Sequence, residues 1–149
     1  SKYKNIENKK NIKELKEKTN IHLKKWVKDE IRLKNKAEQT EFVLETTFSS
    51  EQNKYLLHFY KGEVYRLRGN KIDKSEKNKD AEEEDNYQKA INFYKDSIKI
   101  KNDFPDVYRE LGLLQLKTKN NQEAKENLRK YLEVAKNPKD KSIIESYLN

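Results

Sequence analysis

Apolar residues recur three and four positions apart along most of the chain after residue 20. This spacing places their side chains on one face of an α-helix. Two early runs comprise Leu23, Trp26, Val27 and Ile31, then Ala37, Thr40, Phe42, Val43, Leu44 and Phe48, and a last run comprises Ile143, Ile144, Tyr147 and Leu148. Three Gly and two Pro in 149 residues leave little turn chemistry for β-hairpins. The pattern therefore predicts an all-α fold.

The high charge content of the sequence argues against a folded chain, whereas its aromatic content argues for one. Charged residues make up 40% of the sequence and hydrophobic residues only 33%, which approaches the composition of disordered chains. Nine Tyr, five Phe and one Trp supply large side chains for a core. We therefore expect one folded domain, for which 149 residues is an ordinary length.

The stretch from Pro105 to Pro138 carries an ordered set of residue types over 34 residues. An aromatic residue, a Leu-Gly pair, a small Ala and a large apolar residue occur at Tyr108, Leu111, Gly112, Ala124 and Leu128. This order resembles the tetratricopeptide repeat, in which the small residues let two antiparallel helices touch. The resemblance implies a right-handed α-solenoid of antiparallel helix pairs with a C-terminal capping helix.

A second unit of the same kind spans residues 55–104. Its marker residues are Gly62, Tyr65, Gly69, Tyr87, Ala90 and Tyr94. It returns to the 34-residue length when 16 residues are removed from Asn70 to Asn86, a run rich in Lys, Asp, Glu and Asn. We expect this insertion to be a solvated, flexible loop or a short helix. Gly69 lies where the family places its turn glycine, so we expect it to act through its backbone conformation at a helix end.

The remaining segments are assigned by length and by apolar spacing. Residues 21–54 form a degenerate unit, because Val27 and Lys28 replace the Leu-Gly pair and Thr40 replaces the small Ala. Residues 139–149 form the expected capping helix, which covers the last repeat. Residues 1–20 form a basic N-terminal segment, helical or frayed.

The resemblance also implies a binding surface, because the first helix of each unit lines the concave side of such a solenoid. The matching positions are His22, Lys25, Trp26, Asp29 and Arg32 in the first unit, Phe59, Tyr60, Glu63 and Arg66 in the second, and Asp106, Arg109, Glu110, Leu113 and Lys117 in the third. Trp26 and Phe59 are the expected apolar anchors, and Tyr60, Arg66, Arg109 and Glu110 are expected to act together in binding. The mixed charge of this groove favours a peptide or a protein helix as the partner.

Some tetratricopeptide domains hold a chaperone's C-terminal carboxylate with a clamp of Lys and Asn. Lys25 matches one clamp position here, but Asp29, Tyr60, Asp106 and Glu110 fill the others. Acids at these positions would repel a carboxylate. We therefore expect a different partner from that of the chaperone clamp.

No constellation predicts catalysis, a cofactor, a metal or a small-molecule substrate. The chain has no Cys and two His, and neither His22 nor His58 has an evident nucleophile or carboxylate partner. His58 replaces an aromatic residue, so we expect it to pack between helices. The acidic run from Asp80 to Asp85 lacks the 12-residue frame of a calcium-binding loop. We therefore expect a non-catalytic adaptor or assembly factor.

The charge leaves an alternative partner open. The formal net charge is +8, and residues 1–28 hold ten Lys against three Glu. Such a segment attracts anionic membranes or nucleic acid. The 29 Lys against five Arg make nucleic-acid recognition less favoured, because base and phosphate readout uses the Arg guanidinium. The anionic-surface alternative would show itself in salt-dependent binding.

The absence of Met adds a second alternative. A reading frame starts with Met, so we expect Ser1 to follow a removed export signal, a lipoprotein leader or the rest of a longer protein. The chain would then be a docking or regulatory domain of a larger enzyme, or an exported protein near a membrane through an N-terminal anchor. Similarity to bacterial exported tetratricopeptide proteins favours the periplasm or the outer membrane. The sequence makes no prediction of the oligomeric state.

Overall fold

The computed structural model of the protein describes residues 22–31, 37–73 and 79–149. These ranges are mostly helical and contain no β-strand. The elements are α1 (residues 22–31, the last two in a π turn), α2 (Ala37–Thr47), a 3-10 turn (Glu51–Asn53), α3 (Lys54–Asp73), α4 (Lys79–Ile100), α5 (Pro105–Lys117), α6 (Asn121–Ala135) and α7 (Lys141–Leu148). From α2 onward, each helix packs on the next in chain order. The fold is all-α, as the spacing predicts, and it is a tetratricopeptide-like solenoid, as the resemblance implies.

Glycines mark the contacts between paired helices. A Cβ atom at residue 62 would lie 2.5 Å from Cε1 of Tyr94, so α3 and α4 touch at Gly62. A Cβ at residue 112 would lie 2.7 Å from Leu128 Cδ2 and 3.2 Å from the Ala124 carbonyl oxygen. The predicted close approach of the two helices in the third unit is therefore confirmed.

The prediction for Gly69 is wrong in its mechanism. Gly69 lies inside α3, not at its end, and no glycine of the described residues has a positive φ. The ring of Tyr87 on α4 covers it so closely that a Cβ would overlap the ring. The left-handed turn positions belong instead to Lys119, Lys136 and Asn137. The three glycines therefore serve helix contact, and among the described residues the left-handed positions are taken by Lys and Asn.

The insertion within Asn70 to Asn86 was expected to be a loop or a short helix, and its described part is helical. Helix α3 continues to Asp73 and α4 begins at Lys79, so residues 70–73 and 79–86 lengthen the two helices. Asn86 is buried, and the Tyr87 hydroxyl donates a 2.8 Å hydrogen bond to Asn70 Oδ1. These contacts hold the lengthened helices side by side.

The core is rich in aromatic side chains. Phe59 packs edge-on against Phe104 at 5.1 Å between ring centroids and lies 5.8 Å from Tyr94. Tyr60 stacks on Phe48 at 5.8 Å. This set joins α2, α3 and α4 to the segment that leads into α5, which explains how a sequence of low hydrophobicity forms one core.

Helix α2 exposes two of the apolar residues that its spacing assigned to the core. Thr40 and Leu44 are buried, whereas Phe42 is 70% exposed and Val43 is 43% exposed. Phe42 lies two residues from both Thr40 and Leu44, which is about 200° around a helix. It therefore points away from the buried face.

Helix α7 likewise divides its apolar residues between core and solvent. Ile144 is buried and Leu148 packs against the core. Ile143 is 59% exposed and Tyr147 is 43% exposed. Only two of the four apolar side chains that predicted the capping helix, Ile144 and Leu148, therefore pack against the core.

Candidate functional site

Of the predicted groove residues, Glu63, Arg66, Arg109 and Glu110 are brought into contact with one another. On α1, His22 and Lys25 are exposed, Asp29 is partly buried, and Trp26 packs against the margin of the core. Arg32 lies outside the described residues. The α1 end of the predicted groove thus exposes the positive charge of Lys25 and keeps the carboxylate of Asp29 partly buried.

Two aromatic residues that were predicted to line the groove are not on the surface. Phe59 and Tyr60 are each only 1% exposed. Phe59 is enclosed by Tyr94 and Phe104, and Tyr60 is covered by Phe48. The prediction that they offer a partner an apolar surface is therefore wrong, because side chains from distant parts of the chain cover them.

Glu63 and Arg66 begin a polar network across the first helices. Arg66 binds the Glu63 carboxylate with two hydrogen bonds, from Nη2 at 2.7 Å and from Nε at 3.2 Å. The buried Tyr94 hydroxyl donates a 2.5 Å hydrogen bond to the same carboxylate. These hydrogen bonds connect the turn of α3 that carries Glu63 and Arg66 to Tyr94 on α4.

The network continues onto α5 and reaches the residue before α7. Arg66 lies 3.5 Å from the Glu110 carboxylate, and Arg109 donates a 2.8 Å hydrogen bond to the other oxygen of Glu110. Arg109 Nε also donates a 2.6 Å hydrogen bond to Asp140, which accepts a second from the Tyr131 hydroxyl at 2.6 Å. We call Glu63, Arg66, Arg109, Glu110 and Asp140 the charged row. Three carboxylates and two guanidinium groups make its formal charge −1.

Two outer contacts flank the charged row. Lys24 on α1 pairs with Asp106 on α5 at 2.5 Å, and its ammonium lies 5.9 Å from the Phe59 ring centroid. At the other end of α5, Lys117 donates a 3.0 Å hydrogen bond to Asn70. These contacts connect α1 and α3 to α5 at both ends of the helix.

Burial and neighbouring charge shift the pKa values of the charged row. Burial raises the pKa of Glu110, and the nearby Glu63 carboxylate raises it further against the effect of both arginines. Burial acts to lower the pKa of Arg66. The Tyr94 hydroxyl and the Glu63 carboxylate outweigh the effect of burial, so the pKa of Arg66 is raised. The two guanidinium groups therefore stay charged, while the charged form of Glu110 is disfavoured.

Burial also acts to raise the pKa of Asp140, at the other end of the charged row. Hydrogen bonds from Tyr131 and Arg109 outweigh that effect and lower the pKa of Asp140. Asp140 therefore stays a carboxylate at neutral pH and fixes the start of α7 to α5 and α6.

Several residues of this surface were missed by the sequence prediction, although the repeat length contained the signal. Asp140 stands 34 residues after Asp106, and Ile143 and Tyr147 stand 34 residues after Arg109 and Leu113. The period therefore continues into α7, which takes the place of a further first helix. We call the surface formed by α1, α3, α5 and α7 the first-helix face.

His58 stacks on Phe93 at 6.3 Å, and its buried Nδ1 has no hydrogen-bond partner among the described residues. Burial lowers the pKa of His58. In the same ranges no three His, Asp or Glu side chains gather as metal ligands. None of the helices described there is both long and apolar enough to span a bilayer.

Comparison with known proteins supports the repeat assignment for one unit. Neither a curated protein nor a solved structure matches the chain. A family model, described as the tetratricopeptide repeat, matches residues 105–138. This match covers α5, α6 and the turn after them, with the same bounds that the spacing predicted for the third unit. Residues 105–138 are therefore a repeat of the tetratricopeptide type, within an all-α solenoid.

Proposed function

We propose that the chain is a non-catalytic adaptor or assembly factor that binds a segment of another protein along the first-helix face. Tetratricopeptide repeats in general bind proteins or peptides, and residues 105–138 match that family. The observation that carries the proposal is the charged row, which crosses α3 and α5 and ends at Asp140 before α7.

The charged row supports binding because its groups are held in place before a partner arrives. The Arg109 side chain is 37% exposed, yet Asp140 and Glu110 fix its guanidinium from two sides. A group that is already ordered loses little conformational entropy on binding. Arg109 therefore offers its remaining exposed surface to a partner at low entropic cost.

The alternation of charge favours a polypeptide partner over a phosphate backbone. Each guanidinium of the charged row is already paired with a carboxylate, so no block of free positive charge faces outward from it. A polypeptide can match alternating charges with its own side chains and backbone groups. A phosphate backbone would instead meet three carboxylates.

Photo-crosslinking followed by titration tests this proposal. A photoreactive residue at Lys25, on the first-helix face, should capture the partner, while the same residue at Arg129, exposed on α6, should not. In titrations with the purified partner, Arg109→Gln should weaken binding by about tenfold or more. Arg129→Gln should leave the affinity unchanged.

Gln is the appropriate replacement at Arg109 because Glu would add a carboxylate beside Glu110 and Asp140 and would test folding instead of binding. A partner that crosslinks equally well from Arg129 and binds Arg109→Gln normally would place the interaction on another surface.

A further inference from the structure

We infer that the partner segment is basic and apolar: its lysine or arginine lies against Glu110 and Asp106, and a neighbouring large apolar side chain packs on Ile143 and Tyr147. This inference rests on the function proposed above. It adds α7 to the binding surface and states the chemistry of the partner.

The exposed apolar pair on α7 is the first observation. Ile143 and Tyr147 are 59% and 43% exposed, whereas Ile144 and Leu148 already provide the contact of α7 with the core. The exposed pair lies four residues apart, which makes the two side chains neighbours on one side of the helix. Together they form an apolar surface that the packing of α7 does not use.

The second argument is helix geometry, which places this pair on the same side of α7 as Asp140 of the charged row. Proceeding around α7 from Leu148 and Ile144, which contact the core, the next side chain is Asp140, followed by Tyr147 and Ile143. Asp140 contacts Arg109, so Ile143 and Tyr147 lie on the Arg109 side of α7.

The residues on the opposite side of α7 are of a different kind. Lys141 and Glu145 lie there and pair with each other at 3.8 Å. The apolar pair therefore continues the row that the 34-residue period defines, and the polar pair faces away from it.

The charge of the adjoining surface determines the kind of partner. The three carboxylates of the charged row face two guanidinium groups, and no third cation of the described residues pairs with them. Asp106, one turn before Glu110 on α5, is 39% exposed, and within the described ranges only the half-exposed Lys24 forms an ion pair with it. A cation from a partner would supply the missing positive charge.

The state of Glu110 agrees with this assignment. Its side chain is 18% exposed, and burial together with Glu63 raises its pKa. Its charged form is therefore disfavoured in the free protein, although Arg66 and Arg109 both lie beside it. An ammonium or guanidinium group placed beside it would favour the carboxylate form.

A selection from a random-peptide display library, with the full chain as the target, tests the inference. We expect enriched peptides to carry Lys or Arg next to Leu, Phe or Trp. Binding of a selected synthetic peptide should fall by about tenfold or more with Tyr147→Ser or Ile143→Ser. Phe42→Ser removes a similarly exposed apolar residue from α2 and should leave the affinity unchanged.

A double-mutant cycle tests the charge. Exchange of the peptide's basic residue for Gln should weaken binding to the wild-type chain, but it should have little further effect on binding to Glu110→Gln. A purely structural role of Glu110 would not produce this coupling. Circular dichroism of each variant confirms that it is folded.

The possible outcomes separate the inference from the proposed function. The inference is wrong if the enriched peptides are acidic, or if Tyr147→Ser and Ile143→Ser leave peptide binding unchanged. In either case the proposed function still stands if Arg109→Gln weakens binding of those peptides. A library that yields no binding peptide would count against both the inference and the proposed function. If sedimentation shows a dimer that Tyr147→Ser dissociates, the surface belongs to a second copy and the inference is wrong.

Discussion

Gly69 on α3 lies directly under the ring of Tyr87 on α4, so closely that even a methyl group at residue 69 would overlap the ring. The Tyr87 hydroxyl reaches across to the next residue of α3, Asn70. These two contacts bring the lengthened helices together beyond the standard repeat and replace the expected turn with a helix–helix contact.

Gly69→Ala tests this contact. In an exposed helix the change would stabilise the protein by about 1 kcal/mol, because Ala has the higher helix propensity. Under the Tyr87 ring it should instead destabilise the protein by about 1–3 kcal/mol through overpacking. Chemical denaturation measures the free energy of unfolding. A more stable Gly69→Ala variant would mean that α3 and α4 do not touch there.

Asn70→Ala tests whether the insertion takes part in the fold. Asn70 accepts hydrogen bonds from Tyr87 and Lys117, so its removal should lower the free energy of unfolding by about 1 kcal/mol. Asn92→Ala, at an exposed position of α4, is the control and should have a smaller effect. Equal stabilities of Asn70→Ala and the wild type would support an insertion that contributes nothing to packing.

Lys136→Gly should stabilise the protein. Lys136 ends α6 with φ 52° and ψ 75°, a left-handed conformation that glycine adopts without a steric penalty. We expect a gain of up to about 1 kcal/mol in the free energy of unfolding. Lys130→Gly, the same exchange inside α6, should cost about 1 kcal/mol. A loss of stability with Lys136→Gly would show that α6 does not end in this conformation.

His58 should make the protein less stable as the pH falls. Burial lowers its pKa below 6.5 in the folded protein, partly offset by Asp96 and assisted by Lys61 and Lys54. The unfolded chain therefore binds the proton first, and the stability that is full above pH 6.5 declines as the pH falls through the folded pKa.

His58→Phe, which keeps a ring against Phe93, should flatten this decline between about pH 7 and about pH 5. Thermal melts across this range provide the measurement. His22→Gln, which removes the exposed imidazole of α1, provides the comparison. The prediction fails if His58→Phe and the wild type lose stability in parallel.

Asp140→Asn should destabilise the start of α7 at neutral pH. The change weakens the bonds from Arg109 and Tyr131, at a cost of about 1 kcal/mol at this partly solvated position. The pKa of Asp140 is lowered in the folded state, so its contribution is full above its ordinary value of 3.8 and is lost as the pH falls through the folded pKa. The difference between variant and wild type should therefore vanish in acid.

Asp103→Asn serves as the control, because Asp103 is exposed and its 3.5 Å pair with Lys101 should contribute little at any pH. A deficit of Asp140→Asn that persists unchanged in acid would mean that its carboxylate is not the stabilising group.

The sequence by itself determined the helices and the length of the third unit. Apolar spacing is a property of neighbouring residues, so the spacing alone assigns Val27, Ile31 and Leu44 to buried faces, and all three are buried. Gly112 predicted a close contact between two helices, because the size of a residue limits how closely two backbones can approach.

The tertiary structure alone decided which side chains of the first helices are accessible. Phe59 is covered by Phe104, 45 residues later, and Lys24 pairs with Asp106 across 82 residues. A helical pattern states which residues share a face, but whether that face meets solvent depends on helices distant in the chain. Burial of Phe59 and Tyr60, exposure of Ile143 and Tyr147, and the charged row all follow from such long-range contacts.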